Sequence, residues 1–148
     1  MKIMFVCHGN ICRSPSAELI FKKLVKEARL EQRYFCASSA TSDEEIDIYG
    51  VGNPVYPPMA QVLLRHEIDP EGKRAIRLER EDYEKYDLFI GMDSANIRNM
   101  HRILGGDPDG KIRKLNEADV FDPWYSRDFE RAYREIYDGC VRLLDTLR

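Results

Sequence analysis

The sequence predicts an α/β fold, and three observations carry that prediction. Strand-like and helix-like segments alternate along the chain, the pattern that builds a mostly parallel sheet covered by helices. The length of 148 residues fits one domain, spanning 1–148, with enough chain to bury a proper core. No internal repeat, low-complexity tract or long linker interrupts the alternation.

Lys2 to Cys7 is a short apolar run of strand formers and reads as a buried central strand. His8 to Ser14 is polar and turn-like; Ser14 suits a helix cap and Pro15 a first helical turn. The following helix carries Leu19, Ile20, Leu24 and Val25 at helical spacing. Tyr34 to Ala40 reads as a second strand. Thr41 to Pro58, rich in acidic residues, Gly and Pro, reads as a long surface loop of a kind that is often functional. Met59 to His66 is helical, and Arg74 to Leu78 has the character of a short strand. Asp87 to Met92 is a clear apolar strand, and Asp93 or Ser94 caps a helix running to about Leu104. Gly105 to Gly110 is a turn and Ile112 to Leu115 a last strand. Ser126 is the expected cap of a terminal helix that turns Phe129, Tyr133, Ile136, Val141 and Leu144 inward.

Composition narrows the function classes. Hydrophobic residues make up 43% and charged residues 33%, the balance of an ordinary globular domain. A net charge of −3, spread along the chain, argues against a nucleic-acid partner, which leaves a basic stripe. It also means that any anion site has to be built locally. No apolar run approaches the roughly 20 residues needed to span a bilayer, and the apolar start is too short for a signal peptide. No membrane insertion is expected, and the cytoplasm is the default location. Cysteines are kept reduced there. Cys7, Cys12, Cys36 and Cys140 lack the paired spacings of zinc modules, so no metal is expected.

The residues that carry chemistry follow the first strand: Cys7-His8-Gly9-Asn10-Ile11-Cys12-Arg13-Ser14-Pro15. A Cys, five residues and an Arg is a weak pattern by itself. Its place between a strand end and a helix start strengthens it, because open α/β sheets bind ligands there. Gly9 and Asn10 tolerate left-handed backbone, so the loop can curl and aim successive N–H groups inward as an anion nest. The helix behind adds its positive dipole end. Cleavage of a phosphate ester by a side chain needs a strong nucleophile, and the nest, the helix start and Arg13 all favour a thiolate at Cys7. Ser14 can hydrogen-bond that thiolate, while Arg13 offers a planar fork for two phosphate oxygens. A leaving phenolate needs a proton, and Asp122-Pro123-Trp124-Tyr125 is the best source. Pro123 stiffens the chain after Asp122, and Trp124 and Tyr125 suit stacking on an aromatic ring. No cofactor is required.

The Cys7-to-Pro15 loop together with Asp122-Pro123 resembles the low-molecular-weight protein tyrosine phosphatase family, across essentially the whole chain. The resemblance implies a four-stranded parallel sheet with helices on both faces, and hydrolysis of phosphotyrosine in proteins through a phosphocysteine at Cys7. It implies that Arg13 binds the phosphoryl oxygens, that Asn10 and Ser14 organise the loop, and that Asp122 serves as acid and then as base. Cys12 matches the position that forms a reversible disulfide with the nucleophile. Tyr49 falls near an aromatic position of the substrate cleft, with Trp124 and Tyr125 opposite. Met92-Asp93 with Asn96 matches a family segment, though Asp93 reads chiefly as a helix cap. The family's Gly after the second strand is Ala40 here, its Asp-Pro-Arg segment is Tyr56-Pro57-Pro58, and a His that supports the loop Asn is replaced by Lys73.

Simpler readings stand beside these. Cys12 can be a packing residue and Trp124 ordinary core; Cys36 and Cys140 read as structural, His66 and His101 as surface residues. His8 contributes its backbone to the loop and at most a small field at the thiolate. The acidic run Asp43-Glu44-Glu45 with Asp47 reads as a solvated loop that repels acidic substrates at the cleft edge. Competing functions are a phosphoarginine phosphatase, for which the apolar Ile11 is the wrong residue, an arsenate reductase, which needs further cysteines, and a phosphotyrosine-binding module, which has no use for both Cys7 and Asp122.

Overall fold

The computed structural model describes residues 1–148. Its elements run β1 (Lys2–Cys7), α1 (Arg13–Glu27), β2 (Phe35–Ala40), α2 (Pro57–Arg65), α3 (Asp82–Lys85), β3 (Leu88–Gly91), α4 (Ser94–Leu104), β4 (Ile112–Lys114), α5 (Pro123–Ser126) and α6 (Phe129–Leu147). The four strands form one all-parallel sheet in the order β2-β1-β3-β4. β1 sits at its centre, with Lys2 opposite Phe35 through Cys7 opposite Ala40 on one side and Ile3 opposite Leu88 on the other.

Both faces of β1 are buried, and the strand's period of two sorts its side chains between two layers. Ile3, Phe5 and Cys7 join the larger core with α1, α2 and α6; Met4 and Val6 join a smaller one with Tyr83, Phe89, Met100 and Leu104. That is why the run reads as continuously apolar. In α6 the buried stripe is Phe129, Ala132, Tyr133, Ile136, Cys140, Leu143 and Leu144. Val141, expected inside, is half-buried, because the helical period turns Cys140 to the core in its place. In α1, Ile20, Phe21 and Val25 are buried while Leu19 and Leu24 pack at the margin.

Other expectations need correction. Arg74–Leu78 is not a strand. It touches the sheet edge only at the end of β2, where Ala40 and Arg77 form a single bridge, and no ladder extends from there. Ser126 does not cap the terminal helix. It ends α5, and Asp128 caps α6 by accepting from the Arg131 N–H at 3.1 Å. Ser14 lies inside the first turn of α1 rather than capping it. The long loop is well tied: Thr41 and Ser42 donate to the carbonyls of Cys7 and His8, and Ala75 donates to Asn53. Gly52 is needed there, since a Cβ would stand 1.9 Å from the Ala75 carbonyl oxygen.

Candidate active site

Cys7 ends β1 where the strand order reverses, with β2 to one side and β3 to the other, so a crevice opens beside it. The loop after it turns on Asn10, whose φ of 60° is left-handed; Asn bears that conformation better than most residues. Gly9 was a second candidate for left-handed backbone, but it contributes space instead: a Cβ would stand 3.3 Å from Glu45 Cγ. The curl brings the N–H groups of Asn10 and Ser14 to 3.3 and 3.4 Å from Cys7 Sγ and the Ser14 hydroxyl to 3.0 Å. No side chain caps α1 at Cys12. The sulfur fills that place by accepting from the helix's second N–H, where the orphan donors and the helix dipole both favour an anion.

Side chains behind the loop give these hydrogen bonds a direction. The buried Glu18 carboxylate can only accept, so the Ser38 hydroxyl donates to it at 2.6 Å. Ser38 Oγ then accepts from Asn10 Nδ2 at 3.0 Å, and the same amide nitrogen donates to Ser14 Oγ at 2.8 Å. The Ser14 proton is thereby left for Cys7 Sγ. The Ile76 N–H donates to Asn10 Oδ1 at 3.0 Å and fixes the amide's orientation. Lys73 donates to the Ser38 carbonyl at 3.1 Å and stands 3.5 Å from Glu18, with Lys22 on the same carboxylate. Burial lowers the Lys73 pKa, and Glu18 offsets part of that.

Arg13 is held from one side. Its Nη1 donates to Asp93 at 2.9 Å and to the Val120 carbonyl at 3.1 Å. Nε and Nη2 have no hydrogen-bond acceptor in the protein and offer two donors to a bidentate oxyanion. Burial by itself would lower the guanidinium pKa; Cys7, Asp93 and Asp122 together outweigh it and raise it, so the charge persists. Asp122 Oδ2 stands 3.8 Å from Arg13 Nη2, while Oδ1 accepts from the Trp124 N–H at 3.0 Å as the cap of α5. Burial, then the neighbouring Cys7, pushes the Cys12 thiol far up.

The cleft over the loop encloses about 470 Å³. His8, Gly9, Asn10, Ile11, Cys12 and Arg13 form its base with Cys7, α5 supplies Trp124 and Tyr125, and α4 supplies Asn96 and Asn99. Trp124 is half exposed rather than core, backed by Tyr56 with ring centroids 5.3 Å apart. Tyr49 is not among the lining residues. Asp47 Oδ1 accepts from the N–H groups of Tyr49 and Val51, which holds Tyr49 on a tight outward turn, 84% exposed. The long loop lines the cleft with Glu44 and Glu45 instead, and Glu44 meets the His8 ring at 3.0 Å. Sequence reasoning missed Glu18, Ser38, Ile76 and Val120. Only a carboxylate at a core-facing helical position marked Glu18. Asp93 has a second task beyond its cap, on Arg13.

A family model described as low molecular weight phosphotyrosine protein phosphatase matches residues 2–148. The chain is 32% identical to the low molecular weight protein-tyrosine-phosphatase YfkJ of Bacillus subtilis, covering 100% of this chain and 96% of that protein. It is 33% identical to the human low molecular weight phosphotyrosine protein phosphatase over 95% of this chain and 89% of that one. The crystal structure of the low molecular weight protein tyrosine phosphatase of Streptococcus pyogenes superposes with a TM-score of 0.89 at 36% identity, covering 99% and 93% of the two chains.

Proposed function

The chain belongs to the low molecular weight phosphotyrosine protein phosphatase family, and from that premise we propose that it hydrolyses protein phosphotyrosine in two steps through a phosphocysteine at Cys7. The observation that carries the reading is the convergence on Cys7 Sγ of two backbone N–H groups and one hydroxyl beside a guanidinium with two free donors. In the first step Sγ attacks phosphorus, the P–S bond forms and the bond to the tyrosine oxygen breaks. Asp122 gives its proton to the departing phenolate. Arg13 and the loop N–H groups bear the charge spread over the equatorial oxygens. In the second step water attacks phosphorus, Asp122 takes a proton from it, the P–S bond breaks and inorganic phosphate leaves. Trp124 and Tyr125 hold the aromatic ring. Ile11, apolar and on the cleft floor, favours a phenyl ester over a phosphorylated guanidinium.

The test sets an aryl phosphate, phosphotyrosine, phosphoserine and phosphoarginine side by side. Hydrolysis of the first two only is expected; preference for phosphoarginine would reverse the substrate assignment. Cys7→Ser should lose turnover and keep the fold. Asp122→Asn should slow esters of poor leaving groups by about 100-fold or more, the scale of general acid catalysis, and spare those whose leaving group needs no proton. Equal losses on both would remove Asp122 from the acid role.

A further inference from the structure

α4 separates the cleft from a second depression of about 590 Å³. Ala95, Asn96 and Asn99 face the cleft, whereas Ser94, Ile97 and Arg98 face this depression, whose other side is the end of β4 with Arg113 and Lys114. Lys114 is paired with Asp119 at 2.9 Å. Neither Arg98 nor Arg113 makes an ion pair or a side-chain hydrogen bond within the protein; Glu117 lines the space, and Asp119 borders it where it accepts from Ser94 and Lys114. In a chain of net charge −3, two free guanidinia and a lysine on one concave surface stand out from the background. The cleft itself has the opposite character away from its loop, with Glu44, Glu45, Asp93 and Asp122 on its walls. An anionic neighbour of the reacting phosphotyrosine is thus repelled on the Glu44–Glu45 side and attracted across α4.

We propose that Arg98 and Arg113, beside the Asp119-paired Lys114, form an anion subsite for the protein substrate, which takes a second phosphate monoester on a side chain near the phosphotyrosine. This rests on the phosphotyrosine reading of the cleft. Guanidinium forks match phosphate and carboxylate oxygens in pairs, but a phosphate monoester brings about twice the charge and a third acceptor oxygen, enough to engage both arginines. A helix with its side chains is about 10 Å across, and an extended peptide advances about 3.3 Å per residue. The second phosphate therefore lies on the order of three or four residues from the phosphotyrosine.

The experiment uses phosphotyrosine peptides carrying phosphoserine, glutamate or glutamine three or four residues to either side. On the native chain, kcat/KM for a phosphoserine peptide should exceed that of its glutamine counterpart by about fivefold, as expected for two exposed charge pairs, with glutamate between and the preference fading at high salt. In Arg98→Gln/Arg113→Gln the three peptides should converge, while hydrolysis of a free aryl phosphate stays at the native rate. Equal constants for the three peptides on the native chain, or a preference that survives in the variant, overturns the subsite. Failure of the native chain to hydrolyse the aryl phosphate overturns the reading of the cleft instead. The subsite is then judged by fluorescence anisotropy of the same peptides on Cys7→Ser, where the same order of affinities supports it and equal affinities reject it.

Discussion

Four hydrogen bonds join the Glu18 carboxylate to the Cys7 sulfur, through Ser38, Asn10 and Ser14. Because the Glu18 carboxylate can only accept and the Asn10 amide nitrogen, oriented by the Ile76 N–H, can only donate, every bond in that series has one allowed sense, and the last points a proton at the sulfur. Glu18→Gln keeps the shape and weakens the first bond of the series, since a neutral amide is a poorer acceptor for the Ser38 hydroxyl than a carboxylate. We expect kcat to fall by about tenfold, the equivalent of one charge-assisted hydrogen bond, with slower alkylation of Cys7 at neutral pH and an unchanged fold. Normal alkylation would separate Glu18 from the thiolate. Cys12 belongs to the same scale. Burial keeps its thiol protonated, so we propose that peroxide oxidises Cys7 first, to a sulfenic acid that condenses with Cys12 and expels water. Cys12→Ser should then recover less activity with thiol after mild peroxide than the native chain; equal recovery removes the protective role.

At the scale of the element, helix ends do two jobs. α4 begins at Asp93, whose Oδ1 caps the Asn96 N–H at 2.8 Å while Oδ2 holds Arg13. The two tasks can be divided. Asp93→Asn retains an oxygen for the cap but turns an NH2 toward the Arg13 donor, so KM for an aryl phosphate should rise by several-fold. Asp93→Ala gives up both and should also cost about 1 kcal/mol of stability, the usual value of an N-cap. Equal melting of the two variants would show that the cap contributes little. The same helix packs closely over Gly91, where a Cβ would stand 3.1 Å from Asn96 Cβ.

Over the whole molecule, burial pushes up the thiols of Cys12, Cys36 and Cys140, Cys36 to about 12, and Tyr133 moves the same way. A group whose folded pKa exceeds its unfolded one stabilises fully below the unfolded value, about 8.5 for a thiol, and that contribution is lost as pH rises through the folded value. Tm should therefore decline from about pH 9 upward, and Cys36→Ala should decline less steeply. A Tm that is level from neutral to strongly alkaline pH would exclude this. In the opposite direction, Asp119 and Glu130, lowered first by Lys114 and by His66, lose their share only in acid.

The alternation of elements, the central strand, the cap at Asp93 and the loop from Cys7 to Ser14 were legible in the sequence because each is decided by neighbours in the chain. Apolar runs, helical period and the conformational tolerance of Asn10 are local quantities. So is the order of motifs that placed the chain in its family. Arg74–Leu78 was misread because it meets the free edge of β2 only at Ala40 and gives its other backbone contacts to Asn53 and Pro54 of the long loop, and Ser126 because a short helix intervenes before Asp128. The position of Tyr49 was decided by hydrogen bonds to Asp47 that no alignment of motifs contains. Glu18 reaching Ser38, Asp93 reaching Arg13 and the placing of Arg98 and Arg113 on one depression depend on parallel strands setting distant residues side by side. The make-up of the loop around Cys7 was thus written in contiguous residues. Its orientation, and what surrounds the cleft, were decided by long-range packing, because those contacts join residues that share no segment of chain.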